Sequence, residues 1–401
     1  MMRVVVLAGG SEIAAVALVE DFLAAGFEVV VVALVADSVL RDAVPARHFH
    51  ALPWPPEDLE ATADRLRHIL REAAPNGAGA LPVFATEDGG LRLLMEQRAA
   101  LEGVAVFSRA AALPDFGGLD KAELFEYLRS GPCADLVPAF QVLGDASALE
   151  GARELMPQGF VLKPALKPHS MQVGVLPAKA LCVLRPEELA PARELLQRSW
   201  KASPRWILQA WLHTPPQGET NVWAVRDLAG RVQVMCVQER RKHPRHGGTG
   251  AWVETAGCEG VLRTATQRVL DALDYQGLCE LSFLQDDTGR WQLLEINSRA
   301  WLQVGLASVA GLPLPALAAR ALCGQSVDTV AEATPGRSWV NVERALLTVF
   351  RGEYGNSRWR ELRTILRAIA SAHSRAIYGS SLPGVRWRWA RRILLRAFTG
   401  T

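Results

Sequence analysis

Residues 277–303 of this 401-residue chain read GLCELSFLQDDTGRWQLLEINSRAWLQ and carry its most informative pattern for the fold. Residues 286–289 (DDTG) have the composition of a tight turn, and apolar-rich runs flank them, so the stretch predicts a β-hairpin. Side chains two residues apart on a strand share a face, so Glu295 and Asn297 point to one side. Strand pairing places Glu280 roughly opposite one of them, with the register open by about one residue.

Two carboxylates and an amide oxygen on one face create a problem of charge. Glu280 and Glu295 would repel each other unless a cation lay between them. A hard divalent cation resolves the repulsion, and Mg²⁺ takes such oxygen ligands together with nucleotide phosphates. Arg299, two residues beyond Asn297, adds a planar fork of donors suited to a phosphate or a carboxylate. The alternative interpretation is a solvated strand face that carries acids and binds nothing.

The second strand of this hairpin, LLEINSRAWLQ, resembles the metal-binding strand of the ATP-grasp superfamily, with its Glu-x-Asn-x-Arg pattern. Three further segments match that superfamily in the expected order. They are Asp120-Lys121 in a predicted helix over 119–131, the strand FVLKP with Lys163, and WILQAWL (206–212) followed by Gly218-Glu219. Four ordered motifs over roughly 180 residues are far more specific than any one of them.

The resemblance implies an ATP-grasp fold of mixed α/β and α+β class. Its parts would be an N-terminal Rossmann-like (pre-ATP-grasp) domain, a lid subdomain and a large C-terminal lobe. We expect these at residues 1–110, 111–212 and 213–330, followed by a basic helical extension over 331–401. In the first part, RVVVLA (3–8), a Gly-rich turn, an apolar helix and a second strand predict an open α/β sheet.

A closer resemblance links the chain to the branch of carboxylate–amine ligases that includes D-aspartate ligase. It rests on residues 240–244 (RRKHP), 247–250 (GGTG), 300–324 (AWLQVGLASVAGLPLPALAARALCG) and 376–384 (AIYGSSLPG). It implies an ADP-forming enzyme that activates a carboxylate as an acyl phosphate, which an amine then attacks to form an amide. A free amino-acid or dipeptide ligase and a non-catalytic ATP-binding module stay open. A nicotinamide-dependent oxidoreductase would rest on the Gly9-Gly10 turn alone.

The resemblance assigns ATP and Mg²⁺ to residues at matching positions. Lys121 and Lys163 would bind the phosphates, and Glu219 would bind the ribose. The adenine would be bound by Gln209, Ala210, Trp211 and Leu212. One or two Mg²⁺ ions, which Mn²⁺ can replace, fall to Glu280, Glu295 and Asn297.

The substrate end of the predicted cleft has less specific signals. Arg299 is expected to stabilise the transferred phosphoryl group, and Arg241 and Lys242 to grip the carboxylate substrate. Buried basic residues need a counter-charge, and an exposed basic turn is the alternative. Residues 9–11 (GGS) and 86–88 (TED) are further candidates, although a tight turn and a plain helix start explain them equally well.

Two departures from the superfamily pattern weaken the expected phosphate and metal site. Ser282 stands where an acid or Gln commonly precedes the Phe of the first metal strand, and Glu280 on the same face is the expected substitute. The segment after Lys163 lacks a Gly-Ser-rich phosphate loop, so Lys167, His169, Ser170 and Lys179 are candidates to cover the phosphates.

Composition bears on compartment and partners. The six cysteines lie far apart without a C-x-x-C pair, which argues against a zinc site or a disulfide framework and fits a reducing cytoplasm. Residues 336–401 hold thirteen Arg, no Lys and three Glu, a formal charge of +10, against +2 for the whole chain. The last segment, VRWRWARRILLRAFTG, suits an anionic membrane surface, and equally a helix docked on its own protein.

From the tail and the family likeness we expect a carboxylate and an amine as substrates. One of them would be a lipid-linked or polymeric precursor, such as a cell-wall or polysaccharide intermediate. The location would be cytoplasmic, at the inner membrane surface. A homodimer through the N-terminal domain is compatible with the resemblance, and no nucleic acid partner is expected.

Overall fold

A five-stranded parallel sheet opens the chain in this computed structural model, with strand order β3-β2-β1-β4-β5. The structure describes residues 2–399 apart from 11, 53, 55–57, 75–78, 114, 116, 150, 153–155, 167–179, 201–204, 213–218, 328–331 and 356. The elements of this sheet are β1 (Arg3–Ala8), α1 (Glu12–Ala24), β2 (Glu28–Ala33), β3 (Phe49–Ala51), α2 (Leu59–Ala73), β4 (Leu81–Ala85), α3 (Asp88–Glu96) and β5 (Ala105–Val106).

The Val-rich runs of β1 and β2 are buried on both faces because helices cover both sides of the sheet, as a parallel sheet requires. The predicted order of strand, Gly-rich turn, helix and strand is confirmed. Gly26 ends the α1 turn with a φ of +80°, a conformation that favours glycine. The carboxyl ends of β1 and β4 lie side by side, so the segments after them share one edge of the sheet.

A four-stranded antiparallel sheet follows, in the order β7-β10-β8-β9. Asp120 caps the helix that leads into it, accepting hydrogen bonds from the backbone N–H groups of Ala122 (2.9 Å) and Glu123 (3.1 Å). The elements are β6 (Arg109–Ala110), α4 (Lys121–Ser130), β7 (Phe140–Leu143), β8 (Phe160–Pro164), β9 (Leu181–Val183), α5 (Leu189–Ser199) and β10 (Trp206–Ala210). The sequence pattern of 146–156 predicts a helix, but the structure forms only a short 3₁₀ turn at Ala146–Leu149 in the first part of that range, and residues 153–155 lie outside the described residues.

The large antiparallel sheet runs β15-β14-β11-β12-β13-β16, with β6 pairing on β14. Its elements are β11 (Thr220–Arg226), β12 (Val232–His243), β13 (Thr249–Ala256), α6 (Gly260–Ala272), β14 (Tyr275–Gln285), β15 (Trp291–Asn297), α7 (Leu306–Val309), α8 (Leu314–Leu322) and β16 (Ser338–Val340). The predicted hairpin is confirmed as β14 and β15. Strand β13 was not predicted, because glycine and charge in residues 247–254 hide its period-two pattern.

The antiparallel pairing of β12 with β13 overturns one expectation about the cysteines. Cys236 on β12 and Cys258 just after β13 form a disulfide. They are 22 positions apart in sequence, and the turn that brings the two strands together lies between them, so sequence spacing concealed the pair. The other four cysteines are free thiols.

Three helices complete the chain: α9 (Val342–Phe350), α10 (Arg358–Ser371) and α11 (Val385–Thr399). Helix α11 packs on the N-terminal domain, where Arg388 pairs with Asp42 and Arg392 pairs with Glu12. Val385 at its start is fully buried in the core that α1 shares with the large sheet. Among the described residues, no helix is long and apolar enough to cross a membrane.

The Arg392–Glu12 pair makes a prediction about stability. Glu12 is buried and also accepts from Ser38 Oγ (2.5 Å) and the Val39 N–H (2.8 Å). Arg392→Ala leaves that carboxylate without a cation, so we expect the free energy of unfolding to fall by about 2–3 kcal/mol in urea titrations. The neighbouring exposed Arg391→Ala is the matched control, expected to change it by under about 0.5 kcal/mol. Equal effects of the two substitutions would contradict this account of the docked helix.

Candidate active site

A cleft of about 1340 Å³ lies where the three sheets meet. All thirteen residues that the sequence singled out as site residues line it. They are Lys121, Lys163, Gln209, Ala210, Trp211, Leu212, Glu219, Arg241, Lys242, Glu280, Glu295, Asn297 and Arg299. Gly218 and the candidates Ser11, Lys167, His169, Ser170 and Lys179 lie outside the described residues.

The register of the hairpin brings the expected metal ligands together. Glu280 lies opposite Asn297, and Ser282 lies opposite Glu295. The Asn297 Nδ2 donates to Glu280 Oε2 (3.0 Å) and is 3.4 Å from Glu295 Oε1, so all three side chains share one face. The indole of Trp223 donates to the second oxygen of Glu280 (3.0 Å) and fixes its orientation.

A third carboxylate, Glu239 on β12, joins this face and was not predicted. Burial raises the pKa of Glu280 to about 8, and the negative charges of Glu239 and Glu295 add to the rise. Burial likewise raises the pKa of Glu239 to about 7. The alternation of residues along β12 could have indicated Glu239. It lies on the same face of the strand as the buried Met235 and Val237, where an acid is unexpected.

The acids fit a magnesium site that protein groups complete only in part. Among the described residues, no group of three or more His, Cys, Asp or Glu side chains is arranged to hold a metal. Glu280, Glu295 and the Asn297 amide oxygen would therefore supply part of the shell. Mg²⁺ in nucleotide sites commonly uses one or two carboxylates, with phosphates and water as the remaining ligands, so this donor set suits it.

Ser282, the departure from the superfamily pattern, connects this face to Glu239. Its hydroxyl donates to Asn221 Oδ1 (2.7 Å), and the Asn221 Nδ2 donates to Glu239 Oε1 (3.2 Å). Glu239, on β12 two strands away, thus adds a carboxylate to the part of the cleft where Ser282 supplies none.

Lys163 on β8 joins the lid to the large sheet. Its Nζ donates to Gln209 Oε1 (3.0 Å) and to the Leu294 carbonyl (3.3 Å). Burial lowers its pKa, while the charges of Glu295 and Glu219 act in the opposite direction. The Nε2 of Gln209 is buried without a hydrogen-bond partner in the described part of the chain. A buried donor of this kind lining a cleft fits a ligand with acceptor atoms, such as a nucleotide.

The two residues predicted to grip a carboxylate substrate are engaged with protein acids. Lys242 Nζ lies 2.7 Å from Glu219 Oε2 and 3.2 Å from Glu239 Oε2. Arg241 lies 3.4 Å from Glu361 on α10, and its guanidinium stacks 4.5 Å from the Tyr354 ring centroid. The counter-charges that burial requires are therefore the protein's own, and the substrate-binding roles of these two residues stay a prediction.

Arg299 ties the hairpin to the N-terminal domain through an ion pair with Asp88 (2.7 Å). Beside it, the Gly10 N–H donates to Glu87 Oε2 (2.8 Å). A Cβ on Gly9 would lie 1.9 Å from the Glu87 Cδ, so glycine is needed for this close approach. Burial raises the pKa of Glu87, whose carboxylate lines the cleft.

The C-terminal extension supplies a wall of the cleft that sequence reasoning missed, through Arg344, Tyr354 and Thr364. Arg344 is half-buried, and its Nη1 donates to the His243 carbonyl (3.4 Å). Burial lowers its pKa, and it has no ion-pair partner in the described part of the chain. Its position in the first turn of an ordinary amphipathic helix gave no signal in the sequence.

Comparison with known proteins bears on the fold. No family model matches the chain. The structure superposes on N5-carboxyaminoimidazole synthetase of Staphylococcus aureus complexed with ADP with a TM-score of 0.64 at 14% identity, covering 88% of this chain and 86% of that one. For the N5-carboxyaminoimidazole ribonucleotide synthetase of Thermus thermophilus the TM-score is 0.61 at 17% identity, with coverages of 92% and 98%. This chain has the ATP-grasp fold.

An L-amino acid ligase of Bacillus licheniformis gives a TM-score of 0.59 at 15% identity over 84% of this chain and 78% of that one. In sequence, 131 residues are 29% identical to the carbamoyl phosphate synthase large chain, N-terminal section, of Methanopyrus kandleri, covering 30% of this chain. The matched region spans 23% of that relative and 8% of the large chain of Methanoculleus marisnigri, which is 34% identical over 86 residues, or 21% of this chain. The chain thus spans less than a quarter of the length of these curated relatives.

The ion pairs of Lys242 predict a structural role that can be measured. Lys242→Met removes the cation between two mostly buried carboxylates, so we expect unfolding in urea to become easier by about 3–5 kcal/mol. The same substitution should cost at least about 1 kcal/mol less in a Glu239→Gln background, because one carboxylate is then neutral. Arg67→Met, which breaks the exposed pair with Asp64, is the control and should cost under about 0.5 kcal/mol. Additive effects of the Lys242 and Glu239 substitutions would refute the coupling.

Proposed function

We propose that this chain is an ATP-dependent, ADP-forming carboxylate–amine ligase. The observation that carries the proposal is the convergence of Lys163, Glu280, Glu295, Asn297 and Arg299 in the cleft between lid and large sheet. Cations from the lid and a two-carboxylate metal face suit the phosphates of ATP·Mg²⁺. The ATP-grasp fold supports this proposal, and proteins similar to this chain include an L-amino acid ligase and carbamoyl phosphate synthases.

The chemistry follows from charge and position. A carboxylate does not react with an amine at neutral pH, because it is resonance-stabilised and lacks a leaving group. Phosphoryl transfer from ATP to the carboxylate makes its carbon electrophilic, and phosphate then leaves as the amine attacks. Lys163 and Lys121 would hold the phosphates, and Arg299, next to the metal face, would stabilise charge on the transferred group. Bound Mg²⁺ would supply further neutralisation of phosphate charge.

The two organic substrates have candidate anchors at opposite walls of the cleft. Arg344, a half-buried cation without an ion-pair partner in the described part of the chain, suits the carboxylate or another anionic group. Glu87, an acid at the carboxyl edge of the parallel sheet, suits the ammonium group of the amine. Asp88 beside it forms an ion pair with Arg299, so we assign the ammonium group to Glu87.

A lipid-linked or polymeric acceptor remains our hypothesis for one substrate, motivated by the basic C-terminal region and the family likeness. A free amino acid is the alternative acceptor, and the structural likeness to an L-amino acid ligase favours testing it. Identification of the product by mass separates the two.

Phosphate release from ATP·Mg²⁺, measured against pools of carboxylates and amines, tests the proposed reaction. We expect phosphate and ADP in equal amounts with one combination of pools only. Glu295→Gln removes a metal-face carboxylate and should lower the rate by about 100-fold or more. The control Glu259→Gln lies on the exposed start of α6 and should keep the wild-type rate.

Thermal stabilisation by ATP·Mg²⁺ is measured in parallel. One outcome is that ATP·Mg²⁺ stabilises the wild type but not Glu295→Gln, while no pool and no isolated cell-envelope precursor gives turnover. That outcome would indicate a nucleotide-binding module without ligase activity. Absence of stabilisation in the wild type would contradict nucleotide binding altogether.

Arg344→Met tests the carboxylate subsite once a substrate pool is known. Loss of a charge-assisted hydrogen bond of about 1.5–3 kcal/mol should raise the KM for the carboxylate about 10–100-fold. The KM for ATP should stay unchanged, since Arg344 lies on the wall formed by the C-terminal extension. Arg351→Met, at the exposed end of the same helix, is the control. A rise in the KM for ATP instead would assign Arg344 to the nucleotide.

A further inference from the structure

The outer surface of α9 and α10 combines large apolar side chains with arginines. Trp359 is 81% exposed and Phe350 is 68% exposed, and Leu366 and Leu347 are also on the surface. Single exposed apolar residues are ordinary on protein surfaces, whereas several large ones on two packed helices indicate an interaction site. We call this set, together with the arginines described next, the α9–α10 face.

The charge of this face has one sign. Its exposed arginines lack ion-pair partners in the described part of the chain, and they are Arg351, Arg358, Arg360, Arg363 and Arg367. The acids of the same segment are turned inward: Glu361 pairs with Arg241, Glu353 with His243, and Glu343 accepts from Tyr378 and Trp389. The outward field is therefore cationic.

The residues of α10 divide into an exposed stripe and a buried stripe of the helix. Arg363, Leu366 and Arg367 follow Trp359 by four, seven and eight residues, which places all four on one exposed stripe of the helix. The opposite stripe, with Glu361, Ile365 and Ala368, is buried against α9 and the large sheet. Folding of this chain therefore does not use the outer stripe.

We propose that the α9–α10 face is a peripheral docking surface for membranes that contain anionic lipids. Tryptophan, phenylalanine and leucine insert at the boundary between headgroups and acyl chains, and arginines beside them pair with anionic headgroups. A two-fold contact with a second copy would set arginines against arginines with no exposed acid from this segment to compensate. Nucleic acid would leave the aliphatic side chains of Leu347 and Leu366 without apolar contact.

The segment that carries the α9–α10 face also lines the cleft, so docking there would bring the cleft close to the membrane. Tyr354, in the connection between α9 and α10, lines the cleft and exchanges hydrogen bonds with the Lys242 N–H (2.7 Å) and carbonyl (3.1 Å). The α9–α10 face is thus connected through Tyr354 to a wall of the cleft. A bound membrane would lie near the cleft wall where Arg344 is expected to hold an anionic group.

The surface differs from the one that the sequence indicated. The basic tail beginning at Val385 was the expected membrane segment, but Arg388, Trp389 and Arg392 contact the protein itself. Exposed residues of α11 remain, including Trp387. They provide a matched comparison for the α9–α10 face.

Cosedimentation of the full chain with vesicles tests the proposal. We expect binding to vesicles of phosphatidylcholine with phosphatidylglycerol and little binding to phosphatidylcholine alone. Trp359→Ser, which removes an apolar side chain expected to insert into the membrane, should weaken binding about tenfold or more. Arg363→Glu with Arg367→Glu should separately do the same, since each basic residue near an anionic surface contributes about 1 kcal/mol. The control, Trp387→Ser with Arg391→Glu on α11, should bind nearly as the wild type. All these residues are exposed, and circular dichroism with thermal melting verifies that the variants fold.

Four outcomes would overturn the proposal. They are no binding to anionic vesicles, loss of binding in the α11 control alone, self-association without lipid that the α10 variants abolish, and binding to duplex DNA in place of vesicles. None of them depends on the ligase activity, so failure here leaves the proposed reaction standing.

Discussion

The junction of the three sheets is organised by the need to balance buried negative charge. Glu239, Glu280 and Glu295 come from three strands of the large sheet and face one cleft. Taking carboxylates out of water is costly unless cations accompany them. Three cations do so, each from a different place: Lys163 from the lid, Lys242 from β12, and Arg299 from the turn after β15.

This balance also connects the domains. Lys163 donates across to the Leu294 carbonyl of the large sheet, and Arg299 pairs with Asp88 of the N-terminal domain. The groups that would hold a nucleotide are therefore the groups that hold the lid and the parallel sheet in place. A ligand that brings phosphates and a divalent cation would redistribute these contacts, so closure of the lid and binding of a nucleotide are expected to be coupled.

Local pattern and ordered motifs were sufficient for the fold and for the placement of the expected residues in one cleft. The turn at 286–289 and the period-two spacing of Glu295 and Asn297 act within a few residues of each other, so sequence alone exposes them. Partnerships between distant segments were out of reach. Glu239 and Glu280 face one cleft because β11 pairs with both of their strands. Arg241 contacts Glu361 from 120 residues away, and the disulfide between Cys236 and Cys258 depends on the unpredicted strand β13. The wall formed by the C-terminal extension depends on the same kind of long-range packing.

The close approach of Gly9 to Glu87 has a consequence for how this sequence can vary. A Cβ at position 9 would occupy the space of the Glu87 side chain, whose Cδ would be 1.9 Å away. The two positions, 78 residues apart in the chain, therefore constrain each other. A lineage that gains a side chain at position 9 has to shorten or redirect the one at 87, and with it lose or relocate the negative charge at this wall. Co-variation of these two positions among homologues would be the expected trace of this steric constraint.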